Sequence, residues 1–204
     1  MIVYGASGHG KVIIEILESI GETNIMVWDD ADISLLWQYP VMRPSTYEPI
    51  EDEMVLALGN NTTRKRVAGR LGDYVGYATA VHAAANISYR ASIDEGTVVM
   101  AGATINADTH IGHHCIINTN ATIDHDCILG DYAHVSPNAT LCGDVQVGEG
   151  THVGAGAVVI QGIRIGKWCT IGAGAVVIKD LPDYATAVGN PARIIKVNAA
   201  NHEG

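Results

Sequence analysis

From Ile87 to Val177 every sixth residue is isoleucine, leucine or valine, sixteen positions in succession without a slip or an insertion. An α-helix repeats its buried face every 3.6 residues and a half-buried strand every two, so neither produces a strict six. Four residues after most of these aliphatics stands a small side chain, as at Ala91, Thr97, Ala103, Ala121 and Ala157. One large and one small inward residue per hexapeptide is the pattern of a parallel β-helix, whose short strands and turns coil so that like residues stack in columns. Three hexapeptides close one triangular coil, which sets residues eighteen apart above one another at about 4.8 Å. Sixteen repeats then give just over five coils, a prism roughly 25 Å long. The periodicity leaves the hand of the coil open.

The first 80 or so residues follow another grammar. "MIVYG" reads as a strand and "SGHGKVIIEILESIG" as a helix with Val12, Ile13, Ile16, Leu17 and Ile20 on one face. "IMVWDD" and "MVLALGNN" read as further strands, "TRKRVAGRLG" as a basic helix, and "YVGYATAV" as a fourth strand leading into the repeats. Strand and helix alternating in so short a span predict a small parallel sheet of Rossmann type. The expected domains are residues 1–82, the β-helix over 83–181, and a cap and tail over 182–204, where Pro182, Gly189 and Pro191 break the rhythm.

Charge narrows the function classes. The chain carries a formal net charge of −10, and no lysine or arginine occurs between Ala91 and Ile163, which excludes a nucleic-acid surface there. Six of the nine histidines fall in that same basic-free stretch, so polar chemistry is concentrated where cations are not. No apolar run reaches membrane-spanning length, and the opening residues lack a basic leader, which predicts a soluble cytoplasmic protein without membrane insertion. Cys115, Cys127 and Cys169 share the small-residue phase and read, like Cys142, as reduced thiols rather than metal ligands.

Three places carry possible chemistry. Gly5-Ala-Ser-Gly-His-Gly10 lies between strand and helix, where glycines admit a phosphate to the free N–H groups of the helix start. Asp29 and Asp30 end the next strand, placed to accept hydrogen bonds from a nucleotide. Asn60, Asn61 and Arg64 follow the third at the same sheet edge. The alternatives there are a plain turn and a helix cap followed by solvated Lys65, Arg66 and Arg70. The second place is His125, flanked by Asp124 and Asp126, with Gly143 one coil above; this sets a base near a bare backbone N–H. The alternative is a histidine decorating an exposed corner. The third is a metal held by His110, His113 and His114, whose differing repeat phase argues against a shared face. Near the end of the chain, Arg193 and Lys196 restore positive charge, suited to an anionic cofactor or simply to a solvated end-cap.

The motifs "GASGHGKV", "WDD", "ALGNN..R", "IDHDCILGDYAHVSPNATLCGDVQVG" and "VGNPAR", in this order around the hexapeptides, resemble the bacterial nucleotide-sugar acetyltransferases with a left-handed β-helix. That family includes the UDP-4-amino-sugar N-acetyltransferases of the bacillosamine pathway and their perosamine and sialic-acid relatives. The resemblance extends to about Lys196. It implies a homotrimer with sites between neighbouring prisms, acetyl-CoA as donor, a nucleotide-sugar acceptor held by the N-terminal domain, and no metal. His125 matches the catalytic base, with Asp126 beside it, and Gly143 the backbone N–H facing the thioester oxygen. His134, Ala155 and Ala173 match positions along the acetyl-CoA. Ser7, Gly8, His9, Gly10, Asp29, Asp30, Asn60, Asn61 and Arg64 match the nucleotide-sugar region. One position departs: the amino-sugar enzymes carry Glu after the histidine, where this chain has Asp126. The resemblance implies direct attack of a sugar amine. Acetylation of a sugar hydroxyl, a γ-carbonic-anhydrase-like metalloenzyme and a scaffold without ligand stand as the rival readings.

Overall fold

The computed structural model describes residues 1–44 and 51–198. Its N-terminal part is built from β1 (Ile2–Tyr4), α1 (Gly8–Ser19), β2 (Met26–Trp28), β3 (Leu35–Leu36), β4 (Tyr39–Met42), β5 (Met54–Leu56) and α2 (Asn61–Leu71). The sheet runs β3-β4-β2-β1-β5 and is parallel except where β3 turns back on β4. This short hairpin was not foreseen, since Pro40 and a half-exposed pattern hide it. The α1 face also differs from expectation. Ile14 is buried and Ile20, the C-cap residue, is 53% exposed. The buried stripe is wide because α1 lies between its own sheet and the β-helix. Its Ile13, Ile16 and Leu17 share one core with Val3, Ala80, Val98, Met100 and Ile116.

The expected strand through "YVGYATAV" is not continuous. Gly72–Tyr74 forms a single 3-10 turn, Tyr77 makes one bridge to Met54, and Ala80–Val81 already belongs to the β-helix, pairing with Val98–Val99. From there two-residue strands form three parallel faces. One has five strands, one six, and one eight, the last including the closing hairpin of Ala185–Val188 with Arg193–Val197. From Ala80 to Val177 pairing joins residues eighteen apart, for example Thr104 to Thr122 to Thr140, and the closing coil shortens this to sixteen, as in Thr170 to Thr186. The aliphatic and small columns meet inside, from Val99 and Ala103 to Ala175 and Val177. Cys115, Cys127 and Cys169 are buried in that core and Cys142 is half-exposed; all four are free thiols.

From Gly96 to Gly174 each corner turns through one residue at positive φ, also six apart. Glycine fills it at 96, 102, 150, 156, 162 and 174, and Asp108, His114, Asn120, Asp126, Tyr132, Asn138, Asp144 and Trp168 fill it elsewhere. Asp and Asn tolerate the left-handed region better than most side chains, so the polar letters of these corners follow first from backbone geometry. Among the described residues no helix is long and apolar enough to cross a membrane.

Candidate active site

His125 and Asp126 occupy one such corner. His125 Nδ1 lies 2.7 Å from Asp126 Oδ2, and both side chains are 59% exposed. The His125 N–H donates to Asp124 Oδ1 at 2.9 Å, and Asn106, one coil below, donates to the same oxygen at 2.8 Å. The Asp126 hydrogen bond, then the Asp124 charge, raise the imidazole above the ordinary histidine range. Nδ1 is thereby engaged and Nε2 left outward, as a general base requires. The ring lies over Gly143: a Cβ there would stand 2.6 Å from His125 Cε1 and 2.7 Å from Nε2. The Gly143 N–H has no acceptor among the described residues, so a donor and a base share one corner. The arrangement can take a proton from a nucleophile while a backbone N–H meets a developing oxyanion.

Near the junction of the two domains lies a buried polar group. Arg64 is 1% exposed, and it donates to the carbonyls of His114, Leu58 and Tyr132 and to Asn61 Oδ1. No carboxylate among the described residues pairs with it, and burial lowers its pKa to about 10. His134 is buried and stacks on His152, ring centroids 4.7 Å apart and nearly parallel. Burial first, then neighbouring positive charge, holds His134 down to about 3 and His9 to about 4. His152 is lowered for the same reasons. These three rings are neutral at physiological pH.

The structure gives each of the other candidate residues a place. Arg64 and Asn61 are struts between α2 and the β-helix, not groups open to a ligand: Asn61 Nδ2 donates to the Gly150 carbonyl at 3.0 Å and its oxygen receives Arg64. Asn60 caps α2 through the Thr63 N–H. Asp29 is occupied by the backbone N–H groups of Ala6 and Ala31, while Asp30 receives the Tyr4 hydroxyl and Arg70. Gly10 serves packing, because a Cβ there would run into the Gly5 carbonyl. Ser7 and Gly8 remain exposed at the start of α1, with His9 half-buried behind them. Ala155 and Ala173 are exposed and stacked through the Gly174 N–H to the Ala155 carbonyl, which lays out a smooth column. Arg193 is exposed on the closing hairpin, its Nη1 donating to the Ala192 carbonyl. Of the three basic residues in the solvated alternative, two form ion pairs: Lys65 meets Glu149 at 2.5 Å and Arg70 meets Asp30 at 2.8 Å.

Of the histidines considered for a metal, His114 is turned away from the other two. His110 and His113 face Asp94 at 3.5 and 3.7 Å, whereas His114 is buried against Tyr77 and Tyr132. Among the described residues no group of three or more His, Cys, Asp or Glu is arranged to hold a metal ion. Sequence reasoning also passed over Asn118, Ser136 and His152. Their signal was a column of outward residues on the eight-stranded face that changes from Val98 and Ile116 to His134 and His152.

Residues 1–71 match the family described as PglD N-terminal domain, and residues 108–143, 126–161 and 144–179 each match the bacterial transferase hexapeptide of six repeats. A UDP-N-acetylbacillosamine N-acetyltransferase of Bacillus subtilis strain 168 is 44% identical over 108 residues, spanning 47% of this chain and 49% of that protein. The alignment thus takes in about half the length of that curated relative. Two solved structures match along nearly their whole length. A histidine-to-asparagine mutant of perosamine N-acetyltransferase from Caulobacter crescentus, in complex with CoA and GDP-perosamine, is 37% identical, with a TM-score of 0.90 and 96% of each chain covered. The acetyltransferase domain of PglB from Neisseria gonorrhoeae, in complex with acetyl coenzyme A, is 35% identical, with a TM-score of 0.90, covering 95% of this chain and 98% of that one. By fold, by repeat and by identity along the full length of solved relatives, the chain belongs to the left-handed β-helix, hexapeptide-repeat family of nucleotide-sugar acetyltransferases.

Proposed function

We propose that this chain transfers the acetyl group of acetyl-CoA to the amino group of a nucleotide-linked sugar, with a UDP-4-amino-sugar as the favoured acceptor. The observation that carries the reading is the His125 corner: an exposed imidazole, oriented through Nδ1 by Asp126, lying over Gly143. The sugar amine attacks the thioester carbonyl directly and loses its proton to His125 Nε2. The tetrahedral oxyanion is steadied by the Gly143 N–H, and CoA leaves as the thiol on taking up the proton. No covalent acyl-enzyme is required, since the buried thiols of Cys115, Cys127 and Cys169 are held protonated by burial.

Acetyl-CoA would run along the exposed Ala155 and Ala173 column toward the cationic hairpin of Arg193, and the nucleotide would meet the exposed start of α1 at Ser7 and Gly8. A homotrimer, with each site shared by neighbouring prisms, completes the proposal. The two ligand roles are supported by a matched solved relative that carries CoA with GDP-perosamine, and by another that carries acetyl coenzyme A.

The test is thiol release from acetyl-CoA in the presence of a panel of UDP- and GDP-linked amino-sugars. His125→Ala should lower turnover by about 10²-fold or more with little change in substrate affinity. Near-wild-type turnover in that variant overturns the base assignment, and an absence of thiol release with every sugar overturns the activity.

A further inference from the structure

A cleft of about 400 Å³ opens where the start of α2 meets the eight-stranded face of the β-helix. Asn60 and Thr62 line it from one domain, and Gly150, His152, Trp168 and Thr170 from the other. Asn60 follows β5, and Ser7 and Gly8 follow β1; the two strands are parallel neighbours. The cleft therefore shares the carboxyl edge of the sheet with the exposed start of α1, the edge at which open α/β sheets take ligands. Ala155 and Ala173 lie at the opposite corner of the same two rungs, beyond His152–Val153 and Thr170–Ile171.

Trp168 is the residue that sets this cleft apart. It takes φ +53° at a corner, where a bulky side chain is an outlier. Its indole lies over Gly150, where a Cβ would run into ring atoms Cδ2 and Cε3. Lys65 Nζ, paired with Glu149, stands 5.3 Å from the ring centroid. Two and three coils earlier Tyr132 and His114 fill the same corner, but their rings stack on one another and their carbonyls receive Arg64. Trp168 makes no such contacts. It is half-buried, and its indole N–H meets no acceptor among the described residues.

The polar groups of the cleft are neutral. The hydroxyls of Thr62 and Thr170 and Nδ1 of His152 have no partner among the described residues, while Ser136 Oγ holds His152 Nε2 at 2.7 Å. Burial first, then the Arg64 charge, lowers the His152 pKa and leaves the ring uncharged at neutral pH. Asn60 already caps α2 through the Thr63 N–H. A phosphate is held best by charged donors, and no lining side chain carries charge. A sugar ring instead offers hydroxyls that give and accept hydrogen bonds, and an apolar C–H face. Hydroxyls, a neutral imidazole and an indole suit it on both counts.

We propose that this cleft receives the sugar ring of the acceptor, and that Trp168 and His152 touch it and set which sugar is taken. The inference rests on the acetyltransferase reading for the identity of the acceptor as a nucleotide-sugar.

The test labels the full-length protein with ¹⁵N-tryptophan. The chain has three tryptophans, and Trp168→Phe identifies the Trp168 indole signal by its loss. The protein is titrated with the UDP- and GDP-linked amino-sugar panel, with UDP and GDP alone, and with acetyl-CoA alone; thiol-release kinetics follow on the same panel. The Trp168 signal should move with the nucleotide-sugar that is turned over and not with UDP, GDP or acetyl-CoA alone. Trp168→Ala should raise KM for that nucleotide-sugar about tenfold and His152→Phe about fivefold, with KM for acetyl-CoA unchanged. Both should alter the ranking among sugars. Trp168→Phe, which keeps a ring over Gly150 but loses the N–H, serves if Trp168→Ala does not fold.

A Trp168 signal that moves as far with UDP or GDP alone assigns the cleft to the nucleotide, and one that moves with acetyl-CoA alone assigns it to the donor. Either outcome overturns the proposal. So does thiol release with a sugar that leaves the signal unmoved, or wild-type KM and sugar ranking in the variants. A sugar that moves the signal without thiol release from any member of the panel supports the cleft and sinks the acetyl transfer. No response to any sugar in either readout overturns both.

Discussion

Gly143→Ala separates a catalytic His125 corner from a merely structural one. The added Cβ would stand 2.6 Å from His125 Cε1 and 2.7 Å from Nε2, against the roughly 3.5–4.0 Å at which such atoms rest. The ring must recede by about 1 Å. Nothing else resists, because the imidazole is 59% exposed and Gly143 is not among the positive-φ glycines, so alanine adopts its backbone freely. The stability change should stay within about 0.5 kcal/mol. Turnover should not, since displacing a reacting group by about 1 Å costs on the order of 10²-fold.

Gly148→Ala is the control. Its Cβ would meet the carbonyl carbon of Gly166 and the nitrogen of Lys167 at 2.6 Å, backbone that cannot swing aside. It should lose about 1–3 kcal/mol through overpacking, visible as a lower melting temperature, while the folded protein turns over normally. Thiol release and thermal melting on both variants decide the matter. Wild-type turnover in Gly143→Ala refutes the reasoning, and so does a loss that merely tracks a fall in its melting temperature.

Two further outcomes follow from the same contacts. Asp126→Asn keeps a residue suited to φ +60° but removes the carboxylate whose hydrogen bond does most to raise His125. The active base is the neutral imidazole, so kcat/KM rises as pH passes upward through its pKa, and the substitution should move that acid limb to lower pH; an unmoved limb assigns it to another group. Arg64→Met should strip donors from the carbonyls of Leu58, His114 and Tyr132 and from Asn61, destabilising by about 3 kcal/mol or more in denaturant titrations. Arg64→Lys should recover little of this, because an ammonium cannot span four acceptors in the guanidinium's plane. Full recovery by lysine would show that charge, not geometry, is what the junction needs.

The β-helix was legible because its interior obeys a rule that each residue meets alone: Ile, Leu or Val every sixth position, a small side chain four later. The stacking of Gly143 on His125 was legible too, because the repeat sets residues eighteen apart on neighbouring coils. Contacts across the domain junction were not. Arg64 reads as a solvated or ligand-facing cation in a basic helix, and only the approach of the Tyr132 corner to α2 turns it into a buried strut. Gly10 reads as room for a phosphate, and its purpose is the passage of α1 over the Gly5 carbonyl. Both contacts escape the sequence for a related reason. A residue's type fixes what it can do, but Arg64 meets the carbonyls of His114 and Tyr132, 50 and 68 positions away. The closeness of Gly10 to Gly5 depends on the angle at which α1 leaves the sheet, which no local pattern sets.

Asp126 shows the two kinds of information acting on one residue. The resemblance sets Glu after the histidine, and the substitution by Asp raised the question of whether the shorter chain reaches. It does, with Oδ2 at 2.7 Å from Nδ1. The reach is possible because Asp126 sits at φ +60° in the corner series, which folds its side chain back along the preceding residue. Asp is also among the side chains that tolerate this backbone region best. The corner and the imidazole therefore favour the same short carboxylate, one for conformation and one for charge. Asp126→Glu puts them in opposition: Glu retains the charge and suits the corner less well. If conformation governs, that variant loses stability and keeps the pH limb of His125; if reach governs, it keeps stability and shifts the limb. Melting temperature and the pH dependence of kcat/KM, measured together, tell which of the two holds the aspartate in place.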